Sequence, residues 1–194
     1  EDSGIKQLQS EGYFGEGVHV CIVDTGIDMG HPDFSHQQLL GFRDFVSGNH
    51  DLVRDVGESS HGTLMAGILI SNGTSNGVAP EVGLSVALAL DSEGTSGSTD
   101  RVAQAIRWCR ITQKVDIISL SLGGSPSQFT SSTSSQTNSA VQEALDAGIF
   151  VVAAAGNTGL DTEINDVSQP SSIPGVISVG AITKSGNVWG SSAF

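Results

Sequence analysis

Basic residues are scarce in this chain of 194 residues: eight lysines and arginines stand against 21 aspartates and glutamates, giving a formal net charge of −13. Binding to nucleic acid or to an anionic membrane surface depends on clustered basic side chains. The composition therefore argues against nucleic acid and membrane partners. No apolar run approaches the ~20 residues that span a bilayer, and no signal-peptide pattern or initiator methionine is present, so we expect Glu1 to follow a removed segment.

Cysteine is also scarce, with two residues in the whole chain. Cys21 lies in an apolar run typical of a strand, and Cys109 lies in a helical pattern. Because unpaired cysteines are commonly buried among apolar side chains, the sequence favours two free thiols over a disulfide.

Apolar runs of strand length alternate with helical segments along the chain, with no repeat or domain break. This alternation predicts one α/β domain over residues 1–194, with a mostly parallel sheet and helices on both faces. The predicted strands are 18–23, ending at Asp24, then 84–90, 115–122, 149–155 and 176–182. The predicted helices are 61–70, a second one capped by Ser98 or Thr99 that carries Val102 to Cys109, and a third that ends near Gly148 after a polar loop at 125–134.

Two other kinds of site have weak support. The sequence contains neither a G-x-G-x-x-G turn nor a Walker loop, so a nucleotide-binding fold is disfavoured. His31, Asp33 and His36 cluster like metal ligands, but their spacing matches no strong zinc signature. We interpret them as residues of a solvated loop.

Three polar residues lie where ligands bind in such folds, beyond the carboxyl ends of strands or at a helix start. Asp24 can accept a hydrogen bond from one imidazole nitrogen of His61, which leaves the other nitrogen as a general base. Asn157 follows a run of small residues and can donate its amide to a developing oxyanion. Each also has a structural alternative: a strand-to-turn connection for Asp24, a helix cap or core position for His61, and a turn cap for Asn157.

Seven motifs occur in one order along the chain, and together they resemble the subtilisin-like serine proteases, or subtilases. They are Val-Asp-Thr-Gly-Ile at 23–27, His-Pro-Asp-Phe at 31–34, His-Gly-Thr at 61–63 with Ala-Gly at 66–67, Gly-Val-Ala-Pro at 77–80, Ser-Leu-Ser-Leu-Gly-Gly at 119–124, Ala-Ala-Gly-Asn at 154–157, and Pro-Gly-Val-Ile-Ser-Val-Gly-Ala at 174–181.

The resemblance implies a subtilisin-like fold and a set of site residues. By that resemblance Asp24 orients His61, His61 is the base, and Asn157 belongs to the oxyanion hole. It also implies that the bond between Gln169 and Pro170 is cis, and that the protein is secreted. The implied substrate-binding residues, which pair with the peptide backbone or line an apolar specificity pocket, are Thr95, Ser96, Gly97, Ser121, Leu122, Gly123, Ala154, Ala155, Gly156 and Ser168.

The chain departs from the family pattern most clearly at the nucleophile. The Gly-Thr-Ser-Met-Ala motif that carries the family's catalytic serine is absent, and Ser191 and Ser192 match a segment that precedes it. We therefore expect the domain to be incomplete at its C-terminal side. Ser60 replaces the usual glycine before the histidine, and Leu64 replaces a second histidine. The segment that usually holds a calcium loop is short, leaving Asp33 as the matched ligand and making calcium doubtful.

Two classes of function follow from these residues. The leading hypothesis is a serine endopeptidase whose serine comes from a missing or separate segment, such as a complementary chain, so that the isolated chain is nearly inactive. The alternative is a non-catalytic peptide-binding module or an inactive fragment. In both cases the expected ligand is an extended polypeptide, and missing elements should leave apolar faces of the sheet or helices uncovered.

Overall fold

The computed structural model describes residues 3–50, 52–96, 100–124, 132–159 and 167–193. Six strands form one sheet in the order β2-β3-β1-β4-β5-β6, and every pair of neighbours is parallel. The strands are β1 (His19–Asp24), β2 (Leu39–Asp44), β3 (Gly83–Leu88), β4 (Ile117–Leu120), β5 (Phe150–Ala154) and β6 (Ile177–Val179). The helices are α1 (Ile5–Ser10), α2 (His61–Ile70), α3 (Arg101–Trp108) and α4 (Ser132–Asp146), with a 3-10 turn at Pro32–Phe34 and a π-helical turn at Cys109–Gln113.

Helices pack on both faces of this parallel sheet, as the alternating pattern predicts. Alternate residues of β1 point to opposite sides: Cys21 and Val23 join the core under α3 and α4, while Ile22 joins a smaller core under α2. The strand order reverses direction beside β1, since β3 lies on one side of it and β4 on the other. In open parallel sheets, ligands bind in the crevice at such a reversal.

The two cysteines form a disulfide, so the prediction of two free thiols is wrong. Cys21 lies in the middle of β1 and Cys109 begins the π-helical turn after α3, and their Cα atoms are 5.9 Å apart. Both residues are fully buried in the core between the sheet and α3. The pairing depends on tertiary packing across 88 residues of sequence, which local patterns do not reveal.

The remaining differences concern element boundaries and two missed elements. β1 is as long as predicted but shifted by one residue, and the other four predicted strands are shorter than expected, because the flanking residues continue the apolar pattern beyond the hydrogen-bonded ladder. Sequence patterns missed β2, an edge strand with a register irregularity between Leu39 and Gly41, and the short helix α1. Asp100 precedes α3, and the caps predicted at Ser98 or Thr99 lie outside the described residues, as do 125–131 of the predicted loop. None of the described helices is long and apolar enough to cross a bilayer.

Candidate active site

Asp24 and His61 meet at the carboxyl end of β1. The imidazole Nδ1 of His61 lies 2.8 Å from Oδ1 and 3.0 Å from Oδ2 of Asp24. The Asp24 carboxylate is fully buried, whereas the His61 side chain is 39% exposed. The pair therefore has one nitrogen held by a buried carboxylate and a ring that reaches solvent, which is the arrangement a general base requires.

The chain brings the two residues together through a close contact between two backbone segments. Asp24 is the last residue of β1, and His61 is the first residue of α2. A Cβ atom on Gly62 would lie 2.1 Å from the carbonyl oxygen of Gly26, so α2 can begin this close to β1 only with glycine at position 62. The Thr25 amide donates to Asp24 Oδ1 at 2.7 Å, which fixes the carboxylate.

Asp55 holds this corner together, and sequence reasoning missed it. Its carboxylate accepts hydrogen bonds from the hydroxyl and the amide of Thr63, from the Thr25 hydroxyl and from the Gly57 amide. The Thr25 hydroxyl in turn accepts from the Gly62 amide at 2.9 Å. The network joins the end of β1 to the first turn of α2. Asp55 lies in a loop without a recognisable pattern, so no signal in the sequence distinguishes it from other loop aspartates.

The two carboxylates respond differently to their surroundings. Burial raises the pKa of Asp24, and hydrogen bonds from His61 and Thr25 oppose that rise without cancelling it. Burial would also raise the pKa of Asp55, but the hydrogen bonds from Thr63, Gly57 and Thr25 outweigh burial and hold its pKa below the usual value. Hydrogen bonds to the charged form thus dominate at Asp55, and desolvation dominates at Asp24.

A cleft of about 1000 Å³ opens in front of the pair and brings together most of the predicted site residues. Asp24 and Ala155 are buried and do not line the cleft, and Gly97 lies outside the described residues. The amide of Ala155 is bonded to Val179 and its carbonyl to Ser168, so Ala155 contributes to the backbone behind the cleft wall. The predicted residues that line the cleft are His61, Thr95, Ser96, Ser121, Leu122, Gly123, Ala154, Gly156, Asn157 and Ser168.

One end of the cleft is walled by glycine and small residues. A Cβ atom on Gly156, whose φ is +107°, would lie 2.1 Å from the Ser168 hydroxyl, and one on Gly123 would lie 3.2 Å from Ser168 Cβ. Gly124 and Gln169 exchange backbone hydrogen bonds, and the Gln169–Pro170 bond is cis, as the resemblance implies. The two glycines thus allow the backbone at 123 and 156 to pack closely against Ser168.

Asn157 and the C-terminal serines differ in their access to the cleft. Asn157 is exposed on the cleft wall just beyond β5. Ser192 is 2% exposed, and its hydroxyl accepts from the Ala181 amide and donates to the Ala193 carbonyl. Neither Ser191 nor Ser192 lines the cleft. Among the serines whose side chains the structure describes, none forms a hydrogen bond with His61.

The predicted metal-like cluster is used for local structure. The Asp33 carboxylate accepts from the Thr74 amide at 2.8 Å, and His31 Nδ1 accepts from the Asp33 amide. In the part of the chain that the structure describes, no three His, Cys, Asp or Glu side chains come together to hold a metal ion.

An apolar groove of about 280 Å³ adjoins the cleft on the α2 side of the sheet. Ser121 lines both the groove and the cleft, so the two are neighbours. Ile68 of α2, which lines the groove, is 62% exposed, and Leu64, on the same helix but outside the groove, is 57% exposed. Ile177 and Val179 on β6 are 48% and 50% exposed. The groove is lined by Val20, Ile22, Met65, Ile68, Leu69, Val78, Ile117, Ser119, Ser121 and Val152. Uncovered apolar faces are therefore present, as the sequence predicts.

Comparison with known proteins gives consistent matches along the chain. A family model described as the subtilase family matches residues 15–194. The major intracellular serine protease of Bacillus subtilis is 37% identical over 183 residues, covering 91% of this chain and 54% of that protein. Subtilisin E of Bacillus subtilis is 38% identical over 92% of this chain and 44% of that protein, and the subtilisin of Bacillus pumilus is 38% identical over 90% and 60%. The chain thus spans about half the length of the curated relatives it matches.

Proposed function

Because the chain belongs to the subtilase family, we propose that it is the Asp- and His-bearing part of a serine endopeptidase of subtilisin type. The hydrogen bond between the buried Asp24 carboxylate and His61 Nδ1, in front of a large cleft, carries the proposal. A capping or core histidine would not need a buried carboxylate on one nitrogen and a solvent-facing ring edge.

The proposed reaction is acyl transfer from a peptide bond to a serine hydroxyl. Asp24 holds the proton on His61 Nδ1, so that Nε2 accepts the serine proton during attack and returns it to the leaving amine. Asn157 donates its side-chain amide to the oxyanion of the tetrahedral intermediate. Its exposed position on the cleft wall and its freedom from side-chain partners among the described residues support this role.

We propose an extended polypeptide as the substrate. Residues Ser121 to Gly123 and Thr95 to Gly97 would pair with its backbone from the two sides of the cleft, as strands pair in a sheet. Ala154, Gly156 and Ser168 would line the pocket for the side chain next to the scissile bond. The small walls of that pocket favour a large apolar side chain.

The nucleophilic serine would come from a segment beyond these 194 residues or from a complementary chain. The apolar groove supports this assignment, because Ser121 lines both the groove and the cleft, and because α2, the helix that begins at His61, forms one wall of the groove opposite strands of the sheet. A helix seated in the groove would cover apolar area and place one end near His61. Residues 1–194 alone should then have almost no turnover, since loss of a triad member leaves only residual catalysis.

Location is a separate proposal. The resemblance and the acidic composition support an extracellular protein, while the relatives at similar identity include one named as an intracellular protease. Immunodetection of the protein in culture medium and in the cell fraction distinguishes the two.

Intact-mass analysis after exposure to a fluorophosphonate probe tests the proposed chemistry. The probe modifies only an activated serine, so the expected adduct lies on a polypeptide segment outside residues 1–194 in the assembled protein. An adduct on a serine within residues 1–194 would overturn the assignment of the nucleophile. If no segment is labelled while an extended peptide still binds the cleft, the non-catalytic peptide-binding module becomes the better description.

A further inference from the structure

The His61 side of the cleft carries two acidic side chains that the catalytic proposal does not use. Glu58 and Glu93 line the cleft, and both are exposed. The Glu58 amide donates to the Ser92 carbonyl at 3.1 Å, so the loop before His61 and the turn before Thr95 lie side by side. The two glutamates therefore lie on adjacent segments of the cleft wall.

No basic residue neutralises this pair. All eight lysines and arginines of the chain lie in the part that the structure describes, and none of them lines the cleft. The described ion pairs of arginine are made with Asp44, Asp91 and Glu143. Glu58 and Glu93 are thus the acidic side chains of the cleft wall, and neither has a cationic partner among the described residues.

Asp91, the nearest other carboxylate along the chain, is already occupied. It accepts hydrogen bonds from the amide and hydroxyl of Thr95 and lies 3.4 Å from Arg101 Nη2. Arg101 also donates to the Ser96 carbonyl. This arginine therefore binds Asp91 and the Ser96 carbonyl, and it forms no ion pair with Glu93.

We propose that Glu58 and Glu93 select substrates with a lysine or arginine at the position that lies between His61 and the Thr95–Ser96 edge. The inference rests on the proposed function, because it assumes that a peptide occupies this cleft. The resulting substrate class is a peptide with an apolar side chain in the glycine-walled pocket and a basic side chain upstream of it. Two exposed charge pairs should give a preference of roughly three- to tenfold over an uncharged side chain of the same length, since each such pair contributes modestly.

Fluorescence anisotropy with uncleavable peptides tests the inference on the intact protein. The peptides carry a reduced bond after a leucine, and each upstream position in turn holds either lysine or norleucine, which match in chain length. Binding is measured for the wild type, for the double variant Glu58→Gln/Glu93→Gln, and for Glu16→Gln/Glu81→Gln. The last variant removes the same total charge at residues that do not line the cleft.

The expected result is a lysine preference at one upstream position that weakens with salt, disappears in Glu58→Gln/Glu93→Gln and persists in Glu16→Gln/Glu81→Gln. Equal binding of lysine and norleucine peptides to the wild type would overturn the inference and leave the peptide-binding function intact. If Glu58→Gln/Glu93→Gln still prefers lysine peptides, the preference comes from the overall charge of −13 and the inference is wrong. Failure of every peptide to bind would count against the proposed function as well.

Discussion

The first turn of α2 lies in a closed network of hydrogen bonds, whereas the outer face of the following turns is bare and apolar. His61, Gly62 and Thr63 are tied to β1 and Asp55 by side-chain and backbone bonds. One and two turns later, Leu64 and Ile68 expose more than half of their side chains. One helix thus combines a hydrogen-bonded end, which carries the proposed general base, with an exposed apolar face, so the two properties can be perturbed separately.

The largest expected effect comes from replacing Asp24, whose carboxylate binds His61 in the first turn of α2. Asp24→Asn presents an amide to His61 Nδ1 and favours the wrong imidazole tautomer. In the assembled enzyme, turnover should fall roughly 10⁴-fold, the loss this change produces in Ser-His-Asp proteases, with peptide affinity largely kept. Steady-state kinetics and anisotropy measure the two quantities. Asp28→Asn, on an exposed turn, serves as the control. If Asp24→Asn reduces turnover no more than Asp28→Asn does, Asp24 has no role in the mechanism.

A pair of isoleucines on α2 tests the packing difference directly. Ile70 is 1% exposed and Ile68 is 62% exposed. In residues 1–194 alone, Ile70→Ala should lower the free energy of unfolding by about 2–5 kcal/mol and Ile68→Ala by less than about 0.5 kcal/mol. Urea unfolding measures both. If a helix of the remaining protein covers the groove, the Ile68→Ala cost should grow in the assembled protein. If Ile70→Ala and Ile68→Ala lower the free energy of unfolding equally in residues 1–194, Ile68 is not exposed there.

Removing the charge of Asp55 should destabilise the corner between β1 and the first turn of α2, by an amount that depends on pH. Asp55→Asn loses acceptors for Thr63 and Thr25, so the free energy of unfolding at pH 7 should fall by about 1–3 kcal/mol. The folded state lowers the pKa of Asp55 below the reference value of 3.8. Its stabilisation is therefore present above pH ~4 and is lost as the pH falls through the folded-state pKa. The gap between wild type and variant in pH-dependent urea unfolding should narrow in acid, and a gap that is constant with pH would exclude this linkage.

The smallest effect concerns the residue just before α2. Ser60 adopts φ +51° and makes no capping hydrogen bond through its side chain. Since this left-handed conformation costs an L-residue roughly 1–2 kcal/mol, Ser60→Gly should raise the free energy of unfolding by about 0.5–1 kcal/mol. Ser59→Gly, at a residue without positive φ, should instead lower it slightly. Thermal unfolding measures the stability of both variants. If both substitutions destabilise the protein, the left-handed backbone of Ser60 is not strained.

The sequence predicted the parts of the fold that depend on local composition and on the alternation of apolar segments. The bounds of α2 were predicted at His61 and Ile70, and the parallel α/β architecture followed from alternating apolar runs. The resemblance to the subtilases implied that Asp24 orients His61, but only the structure shows that the two side chains are hydrogen-bonded. Ala155 was placed in the site by its neighbours, although its side chain turns into the core.

The features that sequence reasoning missed depend on contacts between distant segments. Asp55 acquires its importance only when its loop meets Thr25 and Thr63, and nothing in its immediate sequence indicates that. The disulfide joins residues 88 positions apart. The edge strand β2 is half exposed and lacks a clean alternation, so its pattern resembles a loop.

The contact between Gly62 and the Gly26 carbonyl limits how this corner can be reused in protein engineering. A methyl group at position 62 would collide with backbone, so the spacing between the aspartate and the histidine cannot be grafted by copying those two side chains alone. A transplant to another scaffold must carry the turn after β1 and the start of α2 as one cassette. Libraries that randomise position 62 should recover glycine almost exclusively.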